Sequence, residues 1–486
     1  MTMREQIATE LRRRAQLLTG LISDWQTQTD ENQAGMGIHQ SQVRAVGRMF
    51  DAFKQRQDAL SKRLEPDRLP ALSDEEFAQA REEFEQELTG SHSIMSTFRY
   101  IFAQRRDSEQ SKRILDAADL FAAYSYLPCI KLANKWRGLP EEHYREPPLI
   151  YLNARLSPAA ITREHYFGLI GLELYGSLEQ QLPISVISLA FHDVAALWTF
   201  CSLYHEVGHL LDQDVGLHDE LKAALDERLQ ASDRREVWSE WWLREMIADV
   251  FGVMLGGAGY ARALMSMLYK TNELVTGPTT DVHPSPYVRM FLVGELLRGM
   301  KEQPLTEVAD QITQEWQAAY GNPTAKWAPF VAECAAVADV LLNTKLKALG
   351  GERALLDFVT RPNEADQAPD KAADHARVLQ LERYLRIDLK RPTPDTSLLR
   401  LVPAAAQLAA ANVSANHTAV YEEIQQRALE FAEAIPHKEF LGAGEAQDKH
   451  DDFLDDFLGR LKFGSLDIER RSSPTLNSDK KENQDG

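Results

Sequence analysis

The chain has 486 residues, of which 44% are hydrophobic and 26% are charged. This is the ordinary balance of a globular protein with a sizeable core. Lysine and arginine total 54 against 73 aspartates and glutamates, so the formal net charge is −19. A negative charge of this size disfavours binding to nucleic acid or to an anionic membrane leaflet, because both depend on basic side chains. We therefore expect no nucleic-acid partner and no membrane partner.

Cysteine usage and the amino terminus indicate the compartment. Cys129, Cys201 and Cys334 are far apart and form no CxxC pair, so neither a disulfide framework nor a thiolate zinc site is predicted. Three buried thiols are typical of a reducing compartment. The first residues lack the apolar run of a secretory signal. The sequence contains no stretch of about 18 uncharged apolar residues, so no membrane span is predicted. These features predict a cytoplasmic protein.

Helical patterns dominate the first part of the chain. Apolar side chains recur at helical spacing within residues 1–66. Ser73, with Glu76 three positions later, has the pattern of an N-cap and predicts a helix over residues 74–89. We predict a helical N-terminal region over residues 1–135.

A small mixed sheet is predicted next, packed on the helix that follows it. The apolar run at 147–152 follows two prolines, and the run at 184–189 is rich in β-branched residues. Both patterns are typical of short strands. If the edge of the strand at 184–189 is open, an extended peptide could add to it through backbone hydrogen bonds.

Three helices follow the predicted sheet. The first, from Val194 to Leu211 with Asp193 as N-cap, is apolar nearly all round and is therefore expected to be buried. The second lies near 219–231. The third begins after Asp233 and is predicted to end at Gly256 and Gly257. Its tryptophans, Trp238, Trp241 and Trp242, are expected to pack in the core.

The rest of the chain is predicted to be helical until its end. Helical patterns cover 285–350 and 370–435, and beyond Ser472 almost nothing is apolar, which is typical of disorder. The fold class is mainly α, with an α+β core between helical regions. The predicted division is a core over 136–345, a helical C-terminal region over 346–468 and a disordered tail over 469–486.

The motif that carries chemistry is His205-Glu206-Val207-Gly208-His209. Residues four positions apart lie on one face of a helix, so His205 and His209 can bind one metal ion together. Glu206 follows the first histidine and projects near the open side of such a site, where it can accept a proton from an attacking water. A buried helix with two histidines and a carboxylate needs partners for these polar groups.

A third ligand and further polar groups are found downstream. Val215 occupies the position at which metzincins have a third histidine. Glu245 and Asp249 are four residues apart on a later helix that reads as buried, in the arrangement that gluzincins use. Farther on, His283 and Arg289 are on a loop that opens a helix, in the segment His-Pro-Ser-Pro-Tyr-Val-Arg.

These segments, HEVGH, REMIADVFG and HPSPYVR, resemble the gluzincin clan of zinc peptidases. Their order is similar to that of the prenyl-protein (CAAX) and heat-shock membrane zinc endopeptidases, and the resemblance covers about residues 190–295. It implies a zincin-like core and one Zn²⁺ per chain. Those proteases are embedded in membranes, and no span is predicted here, so their substrate class does not carry over.

The resemblance also implies a role for each matching residue. His205, His209 and Glu245 become the metal ligands and Glu206 the general base. Asp249 accepts the free ring N–H of His205 as a neighbour of the ligand set, and Arg289 holds the carboxylates of the site in place. His283 becomes the donor to the oxyanion of the transition state, with Tyr260 and Tyr287 as alternatives.

The predicted function is that of a zinc metalloendopeptidase that acts on a protein or peptide. A di-iron carboxylate bundle is a rival, but it needs two ExxH motifs, and Glu206–His209 is the only one in the sequence. A helical adaptor with a non-catalytic zinc site is the second rival, because the helical flanks could bind a protein partner. The presence of Glu206, the candidate general base, favours a catalytic site over an adaptor with a non-catalytic zinc site.

Overall fold

The structure is a computed structural model, and it is mainly helical, as the sequence predicts. It describes residues 1–31, 40–139, 147–153, 159–161, 184–191, 196–277, 283–360, 375–387, 391–393, 396–413 and 418–435. The predicted N-cap Asp193 and the predicted disordered tail lie outside these ranges.

Four long helices form the amino-terminal part: α1 (Met3–Glu31), α2 (Gln40–Arg63), α3 (Asp74–Asp107) and α4 (Glu109–Trp136). The predicted start of α3 is confirmed. Ser73 Oγ accepts from the Glu76 amide at 3.2 Å, and the Ser73 amide donates to Glu76 Oε2 at 2.8 Å. The helix continues well past the predicted end at residue 89 because apolar residues keep helical spacing as far as Phe102.

A small mixed sheet follows, as predicted. Its strands are β1 (Leu149–Asn153), β2 (Ala159–Ile161) and β3 (Val186–Ala190), in the order β1-β3-β2. β3 pairs with β1 in parallel and with β2 in antiparallel orientation. The strand predicted at 184–189 is therefore central, and because both of its edges are paired, the condition for adding a peptide to it is not met.

Side chains from α3 and α4 occupy the outer edge of β1. Gln104 donates to the carbonyl of Leu152 at 2.7 Å and accepts from its amide at 2.8 Å. Arg105 donates to the carbonyl of Ile150 at 2.8 Å, and Asp119 accepts from the amide of that residue at 2.8 Å. Unpaired strand edges invite further pairing, so these bonds close β1 to an added strand.

The sheet separates two apolar cores. One core is built from α1, α2 and α3 and receives Leu149 and Val186 from the sheet. The other receives Ile150, Leu152 and Ile187 and extends through the rest of the described chain. Adjacent residues of one strand face opposite sides of a sheet, which explains why neighbours such as Leu149 and Ile150 belong to different cores.

The next helices differ in detail from the prediction. The segment expected to be one helix over 194–211 is a 3₁₀ turn (Leu197–Cys201) followed by α5 (Ser202–Val215), and α6 spans His218–Arg228. A π-helical turn (Val237–Trp241) precedes α7 (Leu243–Leu268). The predicted helix end at Gly256 and Gly257 is confirmed as a break, because Gly257 has non-helical φ and ψ angles, and a second helical segment of α7 begins after it.

One tryptophan also departs from the prediction. Trp238 and Trp242 are buried and meet edge to face with ring centroids 5.2 Å apart. Trp241 is 52% exposed, so its predicted place in the core is wrong. The π-helical turn changes the angular spacing of these residues, and it directs the middle ring outward.

The remaining helices pack on the larger core. The last of them, from the predicted C-terminal region, contribute buried side chains to the same apolar cluster as α5 and α7. In chain order they are α8 (Asn272–Thr276), α9 (Pro286–Gly299), α10 (Gln303–Tyr320), α11 (Ala328–Asn343), α12 (Asp357–Thr360), α13 (His375–Ile387), α14 (Thr396–Leu399), α15 (Val402–Ala411) and α16 (Thr418–Glu433).

Helix α7 lies at the centre of this core. Among the described residues it is the one helix long and apolar enough to cross a membrane, and 72% of its most apolar window is buried inside the protein. A core helix of a soluble protein has the same composition. Its burial accounts for its apolar character without a membrane.

Candidate metal centre

Two neighbouring helices bring three metal-binding side chains together. His205 and His209 lie one turn apart on α5, and Glu245 lies in the first turn of α7. His205 Nε2 is 3.2 Å from Glu245 Oε2, and His209 Nε2 is 3.4 Å from Glu245 Oε1. Ligand atoms of the three residues all lie within 4.8 Å of one another. The group could therefore hold a metal ion.

The spacing of these donor atoms fits a tetrahedral ion. Ligands bound to zinc at about 2.05 Å in tetrahedral geometry are about 3.3 Å apart. The two nitrogen–oxygen distances of 3.2 and 3.4 Å are close to that value. The two imidazole rings meet edge to face at 82°, with centroids 4.7 Å apart.

Asp249 lies behind His205, one helical turn after Glu245. Its Oδ1 accepts a hydrogen bond from His205 Nδ1 at 3.0 Å, and the carboxylate is fully buried. A proton fixed on Nδ1 leaves the lone pair of Nε2 for a ligand. Asp249 therefore sets the tautomer of His205 that metal binding requires.

Arg289 neutralises this buried carboxylate. It donates to Asp249 Oδ2 from Nε at 2.7 Å and to Oδ1 from Nη2 at 2.8 Å, and Nη2 is 3.7 Å from Glu245 Oε2. Burial alone would raise the pKa of Asp249, but Arg289 and His205 outweigh it and hold that pKa below its usual range. Charged hydrogen bonds of this two-point kind fix geometry as well as charge.

His205 and Glu245 shift each other's pKa values. Burial would lower the pKa of His205, but its hydrogen bonds to Asp249 and Glu245 raise the pKa to about 9. Burial would raise the pKa of Glu245, and the two histidines lower it strongly. A metal ion would compete with protons for these side chains, since ligands bind in deprotonated form.

Two further sequence-predicted residues lie at the same place. Glu206 follows His205 on α5, and only 6% of it is exposed. His283 lies just before α9, its side chain is 49% exposed, and its Nε2 is 3.5 Å from Glu245 Oε1. His283 thus approaches the ligand set from the solvent side, whereas Arg289 approaches from the buried side.

The two tyrosines considered as oxyanion donors have other partners. Tyr260 is buried and donates from its hydroxyl to Asp249 Oδ1 at 2.5 Å. Tyr287 is buried and donates to the carbonyl of Gly321 at 2.8 Å. Of the three alternatives, His283 is the one that adjoins a ligand carboxylate from solvent.

Sequence patterns did not find the link between Tyr260 and Asp249. Eleven residues along one helix would place the two side chains far apart. The signal that could have found it is the glycine spacing before Tyr260, at Gly252, Gly256 and Gly257. Burial and the adjacent carboxylate raise the pKa of Tyr260 well above its usual value, so its hydroxyl stays protonated and can donate.

The fold and the site together define a class: this is a mainly helical protein with a buried His-His-Glu group that could bind a metal ion. No protein-family model, curated protein or solved structure matches the chain.

Proposed function

We propose that the protein is a zinc-dependent metalloendopeptidase of the gluzincin type. The observation that carries the proposal is the convergence of His205, His209 and Glu245 at spacings suited to one tetrahedral ion. Two imidazoles and one carboxylate suit zinc, and three protein ligands are typical of catalytic rather than structural zinc sites. Bound zinc would polarise a scissile carbonyl and lower the pKa of a water molecule.

Side chains near the ion would have the other roles in the reaction. Glu206 takes a proton from the attacking water and passes it to the leaving amine, so that the peptide bond and one water become a carboxylate and an amine. His283 donates a hydrogen bond to the oxyanion that forms at the carbonyl. Asp249 and Arg289 keep His205 in its ligating tautomer throughout.

The substrate is proposed to be a protein or peptide in the cytoplasm. The charge of −19 disfavours nucleic acid as a partner. The half-exposed position of His283 gives a substrate an approach to the ligand set from solvent. The outer edge of β1 is closed by side chains, so a substrate strand has no binding edge there.

A peptide-library digestion tests the proposal, with new termini identified by mass spectrometry. Wild-type protein should cleave peptides, lose this activity to a chelator and regain it with zinc. Glu206→Gln is the matched control, because it keeps the size of the side chain and removes the base. We expect it to lower the rate about 100-fold or more. Equal cleavage by this variant would exclude Glu206 as the base.

The same experiment separates catalysis from the adaptor reading. Zinc bound to wild-type protein together with no new termini in any peptide would favour a helical adaptor with a non-catalytic metal site. Cleavage that a chelator does not affect would point to a contaminating or metal-independent activity and would contradict the proposal.

A further inference from the structure

Helix α7 folds back on itself at Gly257. That residue has φ 51° and ψ −131°, a conformation that favours glycine. Eleven residues separate Asp249 from Tyr260, which in a straight helix is about 16 Å along the axis. Nevertheless the Tyr260 hydroxyl is 2.5 Å from Asp249 Oδ1. The bend therefore returns Tyr260 to the level of the metal site.

Two further glycines make room for the returning ring. A Cβ atom at Gly252 would lie 2.4 Å from Cζ of Tyr260, and one at Gly256 would lie 2.8 Å from its Cβ. Real Cβ atoms do not approach other atoms so closely. Gly252 thus leaves the helix surface bare for the ring of Tyr260. Gly256 leaves room for the start of the Tyr260 side chain and for the ring of Tyr204, which would lie 2.6 Å from a Cβ there.

The hydroxyl of Tyr260 completes the surroundings of one oxygen. Asp249 Oδ1 accepts from Tyr260 at 2.5 Å, from Arg289 Nη2 at 2.8 Å and from His205 Nδ1 at 3.0 Å. Arg289 Nη2 also lies 3.3 Å from His205 Nδ1. The Tyr260 hydroxyl also lies 3.3 Å from His205 Nδ1. It therefore contacts both the Asp249 carboxylate and the edge of the His205 ring that faces this carboxylate, and it can fix their relative position.

We propose that Tyr260 is a positioning residue of the metal site, which holds Asp249 where it accepts from His205 Nδ1 and so keeps His205 Nε2 free to ligate. The inference rests on the metal site of the proposed function and adds to it a phenol that contacts both the Asp249 carboxylate and the His205 imidazole. Tyr260 itself touches neither substrate nor metal.

The test compares Tyr260→Phe with Tyr287→Phe in the full-length protein. Both variants remove one hydroxyl from a buried tyrosine, but the hydroxyl of Tyr287 donates to the backbone carbonyl of Gly321 rather than to a carboxylate of the site. Zinc affinity is measured by chelator competition, cobalt binding by visible absorption, and the stability of the metal-free protein by thermal unfolding.

We expect Tyr260→Phe to weaken zinc binding about tenfold, at the low end of effects seen for outer-layer partners of a ligand. Its cobalt bands should shift, because the imidazole of His205 is less firmly oriented. Tyr287→Phe should keep wild-type affinity and bands. A general contribution to packing would change only the melting temperature of the metal-free variant. A change in zinc affinity and cobalt bands that is found in Tyr260→Phe and not in Tyr287→Phe therefore indicates a positioning role.

Other outcomes overturn the inference. Equal zinc affinity and cobalt bands in Tyr260→Phe and wild type would overturn it and leave the proposed function intact. Equal weakening in both variants would show only the loss of a buried hydroxyl, and it would also overturn the inference. Failure of wild-type protein to bind either metal would remove the proposed function and this inference together.

Discussion

Gly208 lies against the backbone of Ala248, where α5 packs on α7. A Cβ atom on Gly208 would lie 2.7 Å from Cα of Ala248 and 3.0 Å from Cβ of Phe251. Gly208 stands next to His209, and Ala248 stands next to Asp249. The missing side chain therefore sets the distance between the helix that carries the two histidines and the helix that carries Glu245.

Gly208→Ala should push the two helices apart at the metal. We expect it to lower the free energy of unfolding by about 1–3 kcal/mol, as overpacking of a core does, and to weaken zinc binding. Chelator competition and chemical denaturation measure the two effects. Gly20→Ala is the control, because Gly20 is in α1 with no atom within 4 Å of a Cβ, and alanine should stabilise that helix by about 0.5–1 kcal/mol. Unchanged zinc affinity in Gly208→Ala would contradict this reading of the contact.

Asp249→Asn should damage both stability and metal binding. It leaves the buried Arg289 with only the more distant carboxylate of Glu245 at this site, and loss of one partner of a buried ion pair costs about 3–5 kcal/mol. It also removes the carboxylate behind His205, which should weaken zinc binding about 10- to 100-fold. Asp310→Asn is the control, since Asp310 forms an exposed pair with Arg298, and we expect a cost below about 1 kcal/mol. Wild-type zinc affinity in Asp249→Asn would exclude it as a partner of the ligand.

The three thiols should be inert in the native protein. Cys129, Cys201 and Cys334 are buried, and burial raises the pKa of Cys129 to about 12 and shifts the other two in the same direction. Because the thiolate is the reactive form, a disulfide reagent should titrate none of them up to pH 9 and all of them after unfolding in guanidinium. A thiol that reacts rapidly in native protein near pH 8 would contradict this burial.

Removal of the metal should lower stability. A ligand that binds only the folded state stabilises it by about 2.7 kcal/mol when its free concentration is 100 times its dissociation constant. Added zinc should therefore raise the melting temperature of chelator-treated wild-type protein. It should not raise that of Glu245→Ala, which lacks the ligand that joins α7 to α5. The same zinc-dependent increase in both proteins would show binding elsewhere.

The features that could be predicted from the sequence depend on the spacing of residues a few positions apart. The i, i+4 pairs His205–His209 and Glu245–Asp249 lie on the helix faces expected of them, and the structure brings both pairs together. The capping pattern at Ser73 is confirmed for the same reason. Helix periodicity and capping are short-range properties, so they can be read without knowledge of the tertiary fold.

What the sequence did not predict depends on contacts between distant segments. The helix break at Gly256 and Gly257 was predicted, but the return of the segment after it onto the core was not, because that segment packs against α15. There a Cβ on Gly259 would lie 2.5 Å from Cα of Ala404. The central place of β3 follows from pairing with two strands at once. Neither of these two contacts between distant segments produces a periodic pattern in the sequence.

Metal content of the purified protein tests the central claim most directly. Elemental analysis after expression with added zinc should find one zinc per chain in wild type and in Glu206→Gln, and much weaker retention in Glu245→Ala. Glu206→Gln is informative because it should lose activity and keep the metal. No zinc in wild type, or undiminished zinc in Glu245→Ala, would contradict the assignment of His205, His209 and Glu245 as the ligands.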